Sequence, residues 1–286
     1  MLKKLISNQK NNQMKTTKTC DLCGQNHWTK YCHHLTRCSY CGLVRSKSEF
    51  FNFTPSAHYG EKYFKGQDYL DYEVEGEAMT KNARSRLKTI KFYKKSGSLL
   101  DIGCAFGYFV HEAQCFGFEA EGWDVNHKTV KIAQINTGLP IYQGNDFSKS
   151  TLPKKYDVIT LFDVIEHLQN PDKYLSKIYQ SLKNNGVVVI ETGDIDSWLA
   201  KFQKCQWRLI CPAIHLFYFS QKTLIQMLIK HHFKIIKVQR VGFWRSIGQI
   251  LYRTKQPKLV QRFLSRIQSF PIRLNTFDLL LVIAQK

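Results

Sequence analysis

Between Ser98 and Gly117 the chain changes its rhythm of apolar and polar positions twice. Leu99, Leu100, Asp101 and Ile102 form a nearly unbroken apolar run broken only by an acid, the pattern of a strand buried on both faces. Glycines follow at 103 and 107. From 106 to 117, Phe109, Val110, Ala113 and Phe116 recur at helical spacing until Gly117 closes the segment. The prediction is strand, glycine turn and helix, the opening of a nucleotide-binding βαβ unit. Gly103 and Gly107 stand where a Cβ would obstruct a tight turn or a ligand pressed on the backbone. The turn's amide groups face whatever sits at the helix start.

The alternation continues downstream. Phe118 to Trp123 predicts a second strand ending in Asp124, then come a helix over 126–136 and a short strand over 139–142. Tyr156 to Phe162 predicts a fourth strand that leaves Asp163, Glu166 and His167 at its carboxyl edge. A helix from Pro171 to Leu182, stopped by Asn185-Gly186, precedes an apolar strand from Val187 to Glu191. A helix over 223–231 and strands over 233–238 and 277–284 complete the set. Upstream, residues 77–95 predict a basic helix that packs through Ala83, Leu87, Ile90 and Phe92. Strands alternating with helices imply an open α/β sheet that holds ligands beyond its strand ends. Residues 193–219 break the pattern with Trp198, Trp207 and Tyr218, and are expected to form an aromatic lid over a substrate.

Candidate chemistry follows from position. Asp124 lies about twenty residues beyond Gly103, the spacing of a carboxylate that accepts from two ribose hydroxyls; a solvated turn acid has the same local sequence. Asp146-Phe147 reads either as a ligand contact or as a polar turn beside a core phenylalanine.

Three stretches carry a resemblance: Leu100 to Gly107, Gly122-Trp123-Asp124, and Tyr156 to Leu168 with its Glu-His-Leu tail. They resemble class I S-adenosylmethionine-dependent methyltransferases over residues 98–286. The resemblance implies a Rossmann-like domain with a seven-stranded sheet and S-adenosyl-L-methionine as cofactor. Asp101 and Gly103 would hold its methionine end, Asp124 the ribose, and Asp146 with Phe147 the adenine. Ala105, Gly107, Val125 and Phe162 would complete the cofactor wall. Ala105 departs from the third glycine frequent in the family. His215, in a stretch similar to the family's His-Leu-x-x-Phe-Ser, is the first candidate general base, since neutral imidazole takes a hydroxyl proton near pH 7. Glu166 and His167 are the other catalytic candidates; each of the three has a loop-fixing alternative.

Composition adds an appendage. The 286 residues, 43% hydrophobic, give room for one large domain and a small module. No apolar run approaches the ~20 residues of a membrane span, and no export signal is evident. The expectation is a cytoplasmic protein whose nine cysteines are thiols or metal ligands rather than disulfides. Residues 1–19, with five lysines and no acid, predict a disordered basic tail. Cys20-x-x-Cys23 and Cys38-x-x-Cys41 then predict a zinc-ribbon module over 20–58 with a structural Zn2+. His27, Cys32, His33 and His34 in the spacer leave a ligand substitution open. The knuckles resemble those of bacterial methyltransferases whose ribbon is followed by an aromatic stretch such as Tyr59 to Phe64, enzymes of sugars and cell-surface glycans. A helical linker region over 59–97 and the methyltransferase domain over 98–286 complete the expected division.

Charge sharpens the partner. Of the net +20, most lies between Leu199 and Lys286, which holds sixteen Lys and Arg against one acid, Asp278. The expected acceptor is therefore a small anionic molecule, a nucleotide sugar or a glycan precursor. Leu259, Val260, Phe263, Leu264 and Ile267 form an apolar stripe flanked by Lys258, Arg262 and Arg266, a basic amphipathic helix suited to docking on the core or to peripheral contact with the inner face of a membrane. The charge equally suits an RNA methyltransferase, although no RNA-binding module is recognisable. A non-enzyme alternative is a zinc-ribbon binding module on a catalytically silent fold.

Overall fold

The computed structural model describes residues 19–51, 75–253 and 267–286. The basic tail, the Tyr59 to Phe64 stretch and the amphipathic stripe from Lys258 to Arg266 lie outside the described residues.

Seven strands build the main sheet: β4 (Gly97–Ile102), β5 (Phe118–Asp124), β6 (Ile141–Gln143), β7 (Tyr156–Phe162), β8 (Leu182–Gly193), β10 (Lys234–Ser246) and β11 (Pro271–Gln285). Their order is β10-β11-β8-β7-β4-β5-β6. Neighbours from β8 to β6 run parallel, and β11 runs antiparallel to both β8 and β10. The order reverses beside β4, so a crevice opens beyond the carboxyl ends of β4 and β7.

Alternate side chains of each strand serve opposite faces. Leu100, Ile102, Ile159, Leu161, Val188 and Ile190 pack on one side with α4 (Pro171–Ser181) and α6 (Gln221–Lys230). Leu99, Val158, Val187 and Val189 pack on the other with α1 (Gly76–Ile90), α2 (Tyr108–Cys115) and α3 (His127–Thr137). Burial on both faces explains the unbroken apolar runs in the sequence. The α3 start is fixed by Asn126, whose side chain accepts from Lys128 N and Thr129 N, and its end by left-handed Gly138.

The ends of the chain depart from expectation. β10 and β11 continue beyond the sheet as a two-stranded arm, Phe243 facing Leu274 and Ser246 facing Pro271. The second, four-stranded sheet joins β1 (Trp28–Cys32), β2 (Leu35–Cys38) and β3 (Val44–Ser46) to β9 (Phe217–Tyr218). Its last strand thus comes from the stretch expected to form a lid. Leu35 and Val44 share a core with Ile195, Ala200, Trp207 and Tyr218. Trp207 and Tyr218 are buried within it, while Trp198 stacks on Phe202 in the exposed helix α5 (Trp198–Gln203). None of the three forms a lid. Cys32 and Cys205 form a disulfide, so the expectation of thiols and metal ligands alone fails for this pair. Among the described residues, no helix is long and apolar enough to cross a membrane.

Candidate functional site

The crevice is a cavity of about 1190 Å3. One end is built by the β4 turn. Asp101, at the end of β4, is buried and accepts a 2.6 Å hydrogen bond from the Thr160 hydroxyl. Burial pushes its carboxyl up to about 7. Gly103 has φ +80, and a Cβ there would fall 2.5 Å from Val164 Cγ2. Ala105 is also left-handed, at φ 47, a conformation that explains the glycine frequent at this place in the family. Its amide donates to Asp124 Oδ2 at 2.9 Å, while Asp124 Oδ1 accepts from Asn126 N at 2.8 Å. Asp124 therefore ties the turn to the start of α3, and burial raises its pKa against these hydrogen bonds.

The other end lies beneath the turn after β7. Glu166 is 6% exposed, and among the described residues its Oε2 has no hydrogen-bond partner. Burial, with the charges of Asp163 and Glu191 nearby, pushes its carboxyl up to about 8. His167 Nδ1 lies 3.2 Å from the Ile214 carbonyl and His215 Nδ1 lies 2.7 Å from the Leu209 carbonyl. Their rings meet edge to face, 4.7 Å between centroids. One ligand atom from each of Glu166, His167 and His215 lies within 4.8 Å of the others.

Asp101, Gly103, Ala105, Asp124, Val125, Asp146, Phe162, Glu166, His167 and His215 all line this cavity. Gly107 and Phe147 do not. Gly107 has φ +83 and starts α2, where a Cβ would fall 2.8 Å from Thr137 Cγ2, so it permits close approach of α2 to α3. Phe147 is fully buried, edge-to-face with Trp123 and beside Tyr174; it is a core residue beneath the cavity wall.

Several lining residues are absent from the sequence reading. Arg86 of α1 reaches across to Glu191 near the end of β8, pairing through its Nε and Nη2, and lies 4.2 Å over the Phe162 ring. Phe243 and Arg245 also line the wall. The lining arginines are committed to acids: Arg245 to Glu75 at 3.3 Å, Arg208 to Asp278 at 2.8 Å, Arg45 to Asp21 at 3.8 Å. Among the described residues, the four arginines that line the cavity, Arg45, Arg86, Arg208 and Arg245, are each paired with an acid.

The ribbon carries a second cluster. Cys20, Cys23, Cys38 and Cys41 converge, with Sγ–Sγ distances of 3.5 Å for Cys20–Cys41 and for Cys23–Cys38. Four sulfurs at ~2.3 Å around a tetrahedral zinc would be about 3.8 Å apart, so the cradle is near the right size. None of the spacer histidines joins it, and Cys32 is in the disulfide.

The family profile described as a methyltransferase domain matches residues 75–238. The ubiquinone biosynthesis O-methyltransferase of Schizosaccharomyces pombe, a mitochondrial protein, is 28% identical over 101 residues, 33% of this chain and 37% of that one. The enzyme of the same description from Photorhabdus laumondii is 24% identical over 132 residues, 42% of this chain and 55% of its own. The chain thus spans roughly a third to a half of these curated relatives. Among solved structures, an S-adenosylmethionine-dependent methyltransferase of Mesorhizobium loti aligns with TM-score 0.50 at 18% identity, covering 73% of this chain and all of that one. Magnesium protoporphyrin IX methyltransferase of Synechocystis PCC 6803 aligns with TM-score 0.53 at 13% identity, covering 79% and 97%. The matched family region, the strand order with its one antiparallel strand, and the glycine turn at the reversal point agree: this chain belongs to the class I S-adenosylmethionine-dependent methyltransferases.

Proposed function

We propose that the protein transfers the methyl group of S-adenosylmethionine to a hydroxyl oxygen of a small acceptor. The observation that carries this reading is a single cavity with the β4 turn and Asp124 at one end and Glu166, His167 and His215 at the other. Asp101 would meet the cofactor's amino group and Asp124 its ribose hydroxyls, with Val125 and Asp146 alongside. The relatives described as O-methyltransferases support oxygen as the nucleophile. The cofactor supplies a reactive sulfonium. The protein aligns the acceptor oxygen in line with the methyl carbon and excludes water. As the O–C bond forms, the C–S bond breaks and its electron pair stays on sulfur; the hydroxyl proton leaves at the Glu166-His167-His215 end.

The paired state of Arg45, Arg208 and Arg245 argues for an acceptor of low charge, a phenol or a vicinal diol, ahead of a nucleotide sugar or RNA. The four cysteines would hold a structural zinc that fixes the ribbon, and four thiolates leave no open position for chemistry. Labelled S-adenosylmethionine, offered with catechols, sugar nucleotides and RNA, tests the acceptor; transfer to RNA alone overturns this reading. Asp124→Ala should lose at least tenfold in cofactor affinity by calorimetry, ~1.4 kcal/mol, and unchanged affinity removes Asp124 from the ribose site.

A further inference from the structure

We propose that the Cys32–Cys205 disulfide is a reversible exchange site for low-mass thiols such as glutathione, and that its reduction loosens the wall of the cavity's acceptor end. The inference rests on reading that end as the acceptor pocket, and deepens it by naming what governs the pocket's shape.

Three observations converge. First, the bond joins the ribbon to the main domain across 173 residues, and among the described residues it is the one covalent tie between them. A link that closes so long a loop constrains the chain more than a short one does. Second, Cys205 stands just before the wall. Arg208, Leu209, Ile210 and Cys211 line the cavity, and the Leu209 carbonyl lies 2.7 Å from His215 Nδ1. This stretch is built of single turns, Trp207 N donating to the Lys204 carbonyl at 3.1 Å and Ile210 N to the Trp207 carbonyl at 2.9 Å. Lys204 is left-handed at φ 50, a conformation that its surroundings must enforce. Buried Asp278 holds one side of the stretch, accepting from Trp207 Nε1 at 2.7 Å and from Arg208 at 2.8 Å. The disulfide holds the side toward the ribbon. Third, the two ends of the bond differ in access: Cys205 is exposed, whereas Cys32 is buried.

That difference sets the direction of exchange. A thiolate of the low-mass thiol attacks Cys205 Sγ, the S–S bond breaks, and Cys32 leaves as a thiolate that takes a proton from water. A second thiolate then attacks the thiol-derived sulfur of the mixed disulfide. It releases the oxidised low-mass disulfide and a Cys205 thiolate. The protein gains two electrons and the low-mass thiol loses two; the reverse sequence restores the bond. Residues 212–218 stay in place in either state, because Ser46 Oγ lies 3.1 Å from the Pro212 carbonyl and 2.8 Å from that of His215, and β9 pairs with β3. Reduction therefore frees residues 204–211 and leaves the ribbon sheet closed.

Alkylation and hydrogen exchange of the full chain test this without turnover. After equilibration in oxidised glutathione and a denaturing quench, Cys32 and Cys205 should resist iodoacetamide. After reduced glutathione both should be alkylated. Reduction should speed amide exchange at Trp207 and Ile210 at least about tenfold, with the β9 amides unchanged. Cys205→Ser should exchange like the reduced parent in either buffer, and Cys32→Ser makes the same check from the other end. Zinc content is read on the same samples: faster exchange that follows zinc loss rather than Cys205 alkylation overturns the proposal. So does a bond that resists reduced glutathione, a pair alkylated in the oxidised buffer, or exchange that reduction leaves unchanged. S-adenosylmethionine affinity should change less than about twofold between the two states. Its absence in both would count against the methyltransferase reading and leave the exchange result standing.

Discussion

Asp101 shows how a single buried carboxylate sets stability against function. Its folded-state pKa of about 7 lies above the ordinary 3.8, so the fold favours the protonated acid. The stability it lends is complete below 3.8 and is lost as pH rises through about 7. Without cofactor, Asp101→Asn should therefore melt above the parent at pH 8 by roughly 1–2 kcal/mol, and the difference should vanish by pH 4. Its S-adenosylmethionine affinity should fall all the same, a trade common at binding sites. Equal melting of both proteins at pH 8 would show that Asp101 carries no burial penalty. Gly103 makes a steric counterpart. Gly103→Ala imposes both a left-handed alanine and the 2.5 Å approach to Val164 Cγ2, an expected loss of about 1–3 kcal/mol in denaturant melts. Adding Val164→Ala should recover the clash but not the backbone strain. Full recovery would mean that only the clash matters.

At the scale of elements, what the sequence discloses depends on how locally the information is written. The β4 turn, Asp124 and the turn after β7 lie in contiguous motifs whose spacing reflects one βαβ unit, and they could be read directly. Arg86 and Arg245 could not: each enters the cavity from a helix or an arm whose place depends on distant pairing, such as Ser246 opposite Pro271. Aromatic density from 198 to 219 has the same sequence signature in a mobile cover and in a buried seam. From Trp207 onward it is a seam, because β9 finishes the ribbon sheet, Val44 opposite Tyr218 and Arg45 opposite Phe217, whereas Trp198 and Phe202 stay exposed. Ser46 Oγ also lies 2.8 Å from the His215 carbonyl, so the ribbon positions one wall of the cavity. Cys38→Ser should accordingly lower methyl-transfer kcat/KM severalfold while leaving S-adenosylmethionine affinity nearly unchanged. Equal activity in parent and variant would uncouple the two modules.

For the whole molecule, the net charge of +20 contrasts with lining arginines that are each paired with an acid. A polyanion neutralising six to ten phosphates would lose roughly 10³–10⁵ in affinity between 50 and 200 mM salt. A small acceptor held inside the cavity should change its KM less than about threefold over that range. A steep salt response of turnover would return the acceptor to the nucleic acids.

The shared strand β9 also imposes a timetable on synthesis. The four cysteines and β1 to β3 leave the ribosome well before the stretch that completes them, since Ser46 and its His215 partner are 169 residues apart. At 5–20 residues per second, the β3 edge waits about 10–30 s without its neighbour. The disulfide partner of Cys32 follows it by a similar interval, 173 residues on. An unpaired strand edge invites association with other chains, so nascent protein should depend on prompt metal capture or on chaperone cover during that interval.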